Sequence, residues 1–137
     1  MRISLRLITV CFISVVCVPS MAGARDGSLP EETVEVVMQG RAFMPARTIV
    51  HQHRRTRLVF WNQDSELHAF APTNLFTGVS FHVAGNGAPE FGPDGLKRVI
   101  VPAEGRAEIH FTPANPGEYR YLCDMPGHEM NGIIVVE

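Results

Sequence analysis

The fold of this chain is decided by the stretch Tyr121-Leu122-Cys123-Asp124-Met125-Pro126-Gly127-His128-Glu129-Met130 near its carboxyl end. This stretch supplies one thiol, one imidazole and two thioethers around a Pro-Gly pair. One cysteine, two histidines and a weak axial methionine form the ligand set of an electron-transfer copper site. Cys123 and His128 therefore predict a copper centre. Its second histidine must come from elsewhere in the chain, and His68 is well placed to supply it.

The spacing of Cys123 and His128 requires a turn between them. Residues five positions apart lie on different faces of a helix and also of a strand. Pro126 suits position i+1 of a type II turn, and Gly127 suits the positive φ of position i+2. Local backbone geometry and metal chemistry thus ask for the same residues.

The rest of the chain has the pattern of short strands separated by Pro, Gly and Asn, without a long stretch of helical period. Such a pattern predicts an all-β sandwich or barrel. Within the last but one segment, Tyr119, Tyr121 and Cys123 share one face because strand side chains alternate. Aromatic packing on that face is expected to lead to the sulfur. The predicted strands are residues 33–39, 46–51, 57–62, 67–71, 96–101, 106–112, 118–123 and 132–137.

Residues 72–95 break this pattern. They contain five glycines and several phenylalanines, together with Pro89 and Pro93. Long loops in compact domains are usually functional or mobile. We predict a long insertion here, with a short helix near residues 74–83, which covers one side of the site after His68.

The first 22 residues have the layout of a secretory signal. Arg2 and Arg6 precede an apolar run over residues 7–18, and small residues allow cleavage after Ala22 or Ala24. The run is too short to span a bilayer comfortably, although an uncleaved anchor is the alternative. We predict one domain over residues 23–137 that is exported to the periplasm, with no membrane insertion after cleavage.

Charge and cysteine content narrow the function further. Removal of residues 1–22 takes away two arginines and no acidic residue, so the formal charge falls from −2 to −4. This mild acidity argues against a nucleic acid partner.

Cys11 and Cys17 also leave with the predicted signal, so Cys123 remains as a single thiol in an oxidising compartment. Metal ligation explains such a thiol, because it holds the sulfur as a bound thiolate; a buried inert cysteine is the alternative.

Two motifs carry a family resemblance. Phe60-x-Asn62-x-Asp64-x-x-x-His68-x-Phe70 and Tyr121-x-Cys123-x-x-Pro126-Gly127-His128 resemble the cupredoxin family of plastocyanin- and azurin-like blue copper proteins. The resemblance covers about residues 33–137 apart from the insertion. It implies a Greek-key β-sandwich that holds one type 1-like copper ion. The implied ligands are His68, Cys123, His128 and Met130.

The chain departs from the family pattern at two ligand-loop positions. Only Glu129 separates His128 from Met130, where the family usually has more residues. The axial position is therefore open to Met130, to Glu129 or to no ligand. Ala69 stands where many members carry an asparagine that braces the ligand loops, although its backbone N–H is still able to reach the sulfur.

The remaining histidines are given structural interpretations. His51 and His53 belong to a basic strand end, with a weak accessory metal site as the alternative. His110 faces outward near Glu108. His82 lies in the predicted insertion, where a role close to the copper is conceivable.

These features favour an exported one-electron carrier between redox proteins that dock near His128. A periplasmic copper-binding or delivery protein is the alternative, although the methionines of the mature chain are too few and too scattered for a Met-rich relay. A copper enzyme would need additional centres and many more histidines, so we expect no enzymatic activity. Zinc stays chemically open, since thiolate and imidazole also bind zinc.

Overall fold

The computed structural model describes residues 29–137. The predicted signal over residues 1–22 and its cleavage site lie outside the described residues. Within residues 29–137 the chain forms eleven β-strands and no helix, so the predicted all-β class is confirmed. The part of the chain that is described also contains no helix long and apolar enough to cross a membrane.

The first sheet has five strands in the order β2-β1-β4-β9-β6. Strands β1 and β4 run parallel, and the other neighbours are antiparallel. More buried positions alternate with more exposed ones along β1 and β9, as expected for strands with one solvated face. The strands are β1 (Glu32–Met38), β2 (Phe43–Met44), β4 (Thr56–Asn62), β6 (Phe81–Gly85) and β9 (Arg106–Phe111).

The second sheet has six strands in the order β3-β11-β10-β5-β8-β7. Here β3 and β11 are parallel and the remaining pairs are antiparallel. The two sheets pack face to face, which confirms the predicted β-sandwich. The strands are β3 (Arg47–Val50), β5 (His68–Pro72), β7 (Ala88–Gly92), β8 (Gly95–Val101), β10 (Gly117–Leu122) and β11 (Asn131–Val136).

An aromatic cluster fills the core between the sheets. The Tyr121 ring lies 4.8 Å from that of Phe43 and 5.2 Å from that of Phe70, measured between centroids. Phe60 completes the cluster at 4.5 Å from Phe70. Tyr121 and Cys123 are both buried, whereas Leu122 between them is exposed. The predicted face of this strand is therefore correct, and its aromatic side leads to the sulfur.

The segment 72–95 differs from the prediction. The short helix expected near residues 74–83 is absent: residues 75–78 form a turn, and the N–H of Thr77 donates to the carbonyl of Asn74. Strands β6 and β7 follow and join different sheets, so the segment is part of the sandwich rather than an irregular cover. Leu75 is buried, and the ring centroid of Phe76 lies 5.1 Å from that of Phe111. The sequence did not predict these two strands because glycines and prolines interrupt the segment. In addition, no side chain of β6 or β7 is fully buried, so the segment lacks a clear period-two hydrophobic pattern.

Candidate metal centre

Three segments bring their donor atoms together at one end of the sandwich. His68 begins β5, Cys123 follows β10, and His128 lies in the loop before β11. The Sγ of Cys123 is 3.3 Å from Nδ1 of His128 and 3.9 Å from Nδ1 of His68. The two Nδ1 atoms are 3.2 Å apart. The three side chains form a cluster whose donor atoms all lie within 4.8 Å of one another.

These separations fit a shared metal ion. Metal–nitrogen bonds of about 2.0 Å and metal–sulfur bonds of about 2.3 Å place donor atoms roughly 3–4 Å apart. The Nε2 atoms of both histidines face carboxylates, which favours a proton on each Nε2. Both Nδ1 atoms then present lone pairs to each other, and a cation between them relieves the repulsion. The donor set of one thiolate and two imidazoles suits copper.

The ligand loop adopts the predicted turn. The N–H of His128 donates to the carbonyl of Met125 at 3.0 Å, and Gly127 has φ of +78°. The N–H of Cys123 donates to the carbonyl of Met130, also at 3.0 Å. The second bond closes the base of the loop, so that Cys123 and His128 face each other across it.

The buried amide of Asn62 organises the loop that precedes His68. Its Nδ2 donates to the carbonyl of Glu66 at 2.8 Å and to the neighbouring carbonyls of Val101 and Pro102, at 3.2 and 3.0 Å, which share the second N–H. Its Oδ1 accepts the N–H of Asp64 at 3.0 Å. One side chain thus ties this loop to the end of β8, and His68 is completely buried behind it.

Asp64 orients the ring of His68. Its Oδ2 lies 2.7 Å from Nε2 of His68, so Nδ1 points to the sulfur. Asp64 also accepts the backbone N–H groups of Gly40 and Arg41 at 2.8 and 3.0 Å. The bond from the Arg41 backbone, then the one from His68, lower the pKa of Asp64 to about 2. Carboxylate partners of this kind fix the tautomer of a metal-ligating histidine.

Two further residues at the site were missed from the sequence. Glu66 lies 3.5 Å from Nε2 of His128 and accepts two hydrogen bonds from the Arg41 guanidinium, at 2.6 and 2.8 Å. These bonds lower the pKa of Glu66. Arg41 is 25 positions from Glu66, and no motif in the sequence links the two residues.

The axial candidates differ in burial. Met130 is buried in the core cluster, whereas Glu129 is exposed. Met125, the other thioether of the ligand loop, is half-buried against the core. The enclosed position of Met130 suits an axial thioether better than the exposed carboxylate of Glu129.

The other histidines lie outside the donor cluster. His51 contacts Glu32, with Nδ1 2.7 Å from Oε2, at the basic end of the first sheet. His110 lies on the outer face with Nε2 3.3 Å from Glu108, as predicted. His82 lies on β6, where it is exposed and opposite His110 of β9. It is not among the clustered metal donors.

Comparison with known proteins shows the family. The model of the cupredoxin-like domain matches residues 7–136, and the chain therefore belongs to this family. The predicted family is thereby confirmed. No curated protein sequence matches the chain significantly.

Solved structures share the fold at low sequence identity. Auracyanin B superposes with a TM-score of 0.57 and 22% identity, covering 77% of this chain and 88% of its own. Auracyanin A, described as a blue copper protein from Chloroflexus aurantiacus, gives a TM-score of 0.57 at 18% identity, covering 79% of this chain and 100% of its own. Dithionite-reduced auracyanin from Roseiflexus castenholzii gives 0.58 at 17% identity, covering 81% and 99%. The Greek-key cupredoxin fold is thus established for this chain.

Proposed function

We propose that this protein is a mononuclear copper protein that carries single electrons between redox partners. The observation that carries the proposal is the convergence of Cys123 Sγ with Nδ1 of His68 and Nδ1 of His128 in a buried cluster of side chains. Copper bound there supplies the one-electron couple between Cu(II) and Cu(I). The blue copper function printed for auracyanin A agrees with this proposal.

The protein residues hold their positions by bonds that do not depend on the metal. Asp64 orients His68, and the bond from Cys123 to the Met130 carbonyl closes the ligand loop. A donor set fixed in this way changes little between two oxidation states, so little reorganisation accompanies electron transfer. Met130 is the proposed axial ligand because it is buried beside the loop.

Export and partners belong to the same proposal. The secretory signal predicted from the sequence of residues 1–22 supports a periplasmic location. A redox protein would dock over the His128 end of the sandwich, where Leu67 is half exposed and Pro126 is exposed. Weak electron-transfer encounters use small interfaces, and this end offers one.

Burial favours the carrier over copper delivery. His68 is fully buried, and the side chain of His128 is only 6% exposed. A delivery protein must pass its metal to a second ligand set, which requires access that these side chains do not offer. We propose a carrier rather than a multicopper enzyme, because within residues 29–137 both clusters of three metal-ligating side chains include His68 and thus belong to one centre.

The test is a titration of the purified protein with one equivalent of Cu(II), followed by visible and EPR spectroscopy of wild type and Cys123→Ser. The proposal predicts an intense thiolate charge-transfer band in the wild type, bleached reversibly by ascorbate and lost in the variant. A protein that binds Cu(I) tightly without this band would favour copper handling. Absence of copper binding would falsify both functions.

A further inference from the structure

The outer edge of His128 is covered by an ion pair from two distant parts of the chain. Glu66 Oε2 is 3.5 Å from Nε2 of His128, and both oxygens of Glu66 are held by Arg41. We propose that the Arg41–Glu66 pair is a clamp that positions the His128 ring and keeps the metal centre closed to ligand exchange. This inference rests on the proposed function and names the residues that regulate the same site.

The exposed fractions of the three side chains agree with an ion pair that lies outside the His128 ring. The side chain of His128 is 6% exposed, whereas those of Glu66 and Arg41 are 37% and 54% exposed. The exposed ion pair therefore contacts the outer nitrogen of an imidazole that is nearly buried. The distance of 3.5 Å between Glu66 and His128 is longer than that of a strong hydrogen bond. The expected effect of the clamp is accordingly moderate.

Arg41 is suited to this role by its backbone as well as by its side chain. It occupies the turn between β1 and β2 in the left-handed region, with φ of +55°, after Gly40 with φ of +60°. In that conformation its N–H donates to Asp64, the partner of His68, while its guanidinium holds Glu66, the partner of His128. A single turn therefore holds the outer partners of both histidine ligands.

The clamp has a defined consequence for the site. With Glu66 fixed by two bonds to Arg41, its carboxylate favours the Nε2–H tautomer of His128 and leaves Nδ1 as the donor toward Cys123. Loss of such outer partners lowers metal affinity by about 10–100-fold at known sites. Arg41 and Glu66 are thus positioning residues, and neither touches the metal donors Sγ or Nδ1.

The first measurement is the rate at which an excess of chelator removes copper from Glu66→Gln and Arg41→Gln. We expect about tenfold faster loss in both variants. The matched control is Arg47→Gln, which breaks the pair between Arg47 on the edge strand β3 and Glu118 on β10. This pair is also 2.6 Å long and similarly exposed. The control is expected to keep the wild-type rate. Equal rates in all four proteins overturn the proposal.

The second measurement needs no copper. In the metal-free protein, labelled with nitrogen-15, the chemical shifts of the His128 ring report the tautomer at a pH where the imidazole is neutral. Wild type and Arg47→Gln are expected to show the same tautomer population, and Glu66→Gln and Arg41→Gln a smaller share of the Nε2–H form. An unchanged tautomer population overturns the clamp. This result stands even if the wild type shows no thiolate band, so failure of the clamp and failure of the carrier function are distinguishable.

Discussion

The backbone N–H of Ala69 donates a hydrogen bond of 3.3 Å to the sulfur of Cys123. The two residues are 54 positions apart, and the bond joins the start of β5 to the ligand loop. An asparagine brace is absent at position 69, as the sequence indicated, yet the expected backbone contact is present. Ala69 belongs to β5, which pairs with β8 at this position. The strand pairing holds the N–H in place without a side-chain brace.

Replacement of Met130 by leucine tests the axial ligand. The two side chains have similar volumes, so we expect the free energy of unfolding of the metal-free protein to change by less than about 1.5 kcal/mol. Loss of the thioether should shift the thiolate band and raise the reduction potential of the copper form, because the axial ligand tunes it. Glu129→Gln is the control and should leave both unchanged. A shift in the glutamine variant alone would assign the axial position to Glu129.

Replacement of Gly127 by alanine tests the turn in the ligand loop. No atom lies within 4 Å of the added Cβ, so the cost comes from the positive φ of +78° alone. We expect a loss of about 1 kcal/mol in the free energy of unfolding of the metal-free protein. Gly78→Ala is a matched control, with φ of +70° and equally open space. Both variants should lose similar stability in urea unfolding, but only Gly127→Ala should weaken copper binding.

Replacement of Tyr121 by phenylalanine should stabilise the protein. The Tyr121 hydroxyl is buried and has no hydrogen-bond partner among residues 29–137, so its removal is expected to add about 1 kcal/mol to the free energy of unfolding. Tyr119→Phe is the control. It should lower the free energy of unfolding, because the Tyr119 hydroxyl donates to the carbonyl of Asn115 at 3.0 Å and this bond would be lost.

The stability difference between wild type and Tyr121→Phe should also depend on pH. Burial raises the pKa of Tyr121 above its ordinary value. The folded state therefore favours the neutral hydroxyl, and this contribution is complete below pH about 10 and lost as the pH rises through the folded pKa. Wild type should lose stability above pH about 10 relative to Tyr121→Phe. Parallel stability curves for the two proteins in that range would contradict the assignment.

Glu32 should make a pH-dependent contribution at the opposite end of the sandwich. Burial acts to raise its pKa, but hydrogen bonds from the backbone and ring of His51 and from the Thr56 hydroxyl outweigh it, so the pKa is lowered. We expect Glu32→Gln to cost about 1–2 kcal/mol of unfolding free energy near neutral pH.

The sign of this effect follows from the lowered pKa. A carboxyl with a depressed folded pKa stabilises the protein above its unfolded value, near pH 4.5, and this contribution is lost as the pH falls through the folded pKa. The stability difference between wild type and Glu32→Gln should therefore shrink below that pH. Glu35→Gln, at an exposed position of the same strand, is the control for the loss of a surface carboxylate and should cost little unfolding free energy near neutral pH. A constant difference for Glu32→Gln would contradict the pKa shift.

The sequence by itself determined what depends on residues that are close along the chain. Cys123, Pro126, Gly127 and His128 specify a turn and a donor set within one loop. The alternation of Tyr119, Tyr121 and Cys123 specifies the buried face of the strand before it. Most strands were predicted for the same reason, since short β-type segments bounded by Pro, Gly and Asn are a local feature of the sequence.

Only the tertiary structure decided the contacts between distant segments. It made residues 72–95 two strands of different sheets, because their pairing partners β8 and β9, not their own pattern, impose the strand conformation. It also placed Arg41 against Glu66 and Asp64, 25 and 23 positions away, and so set which nitrogen of each histidine faces the sulfur. Hydrogen bonds of this kind depend on distances in space, which the packing of the two sheets creates and which no spacing along the chain encodes.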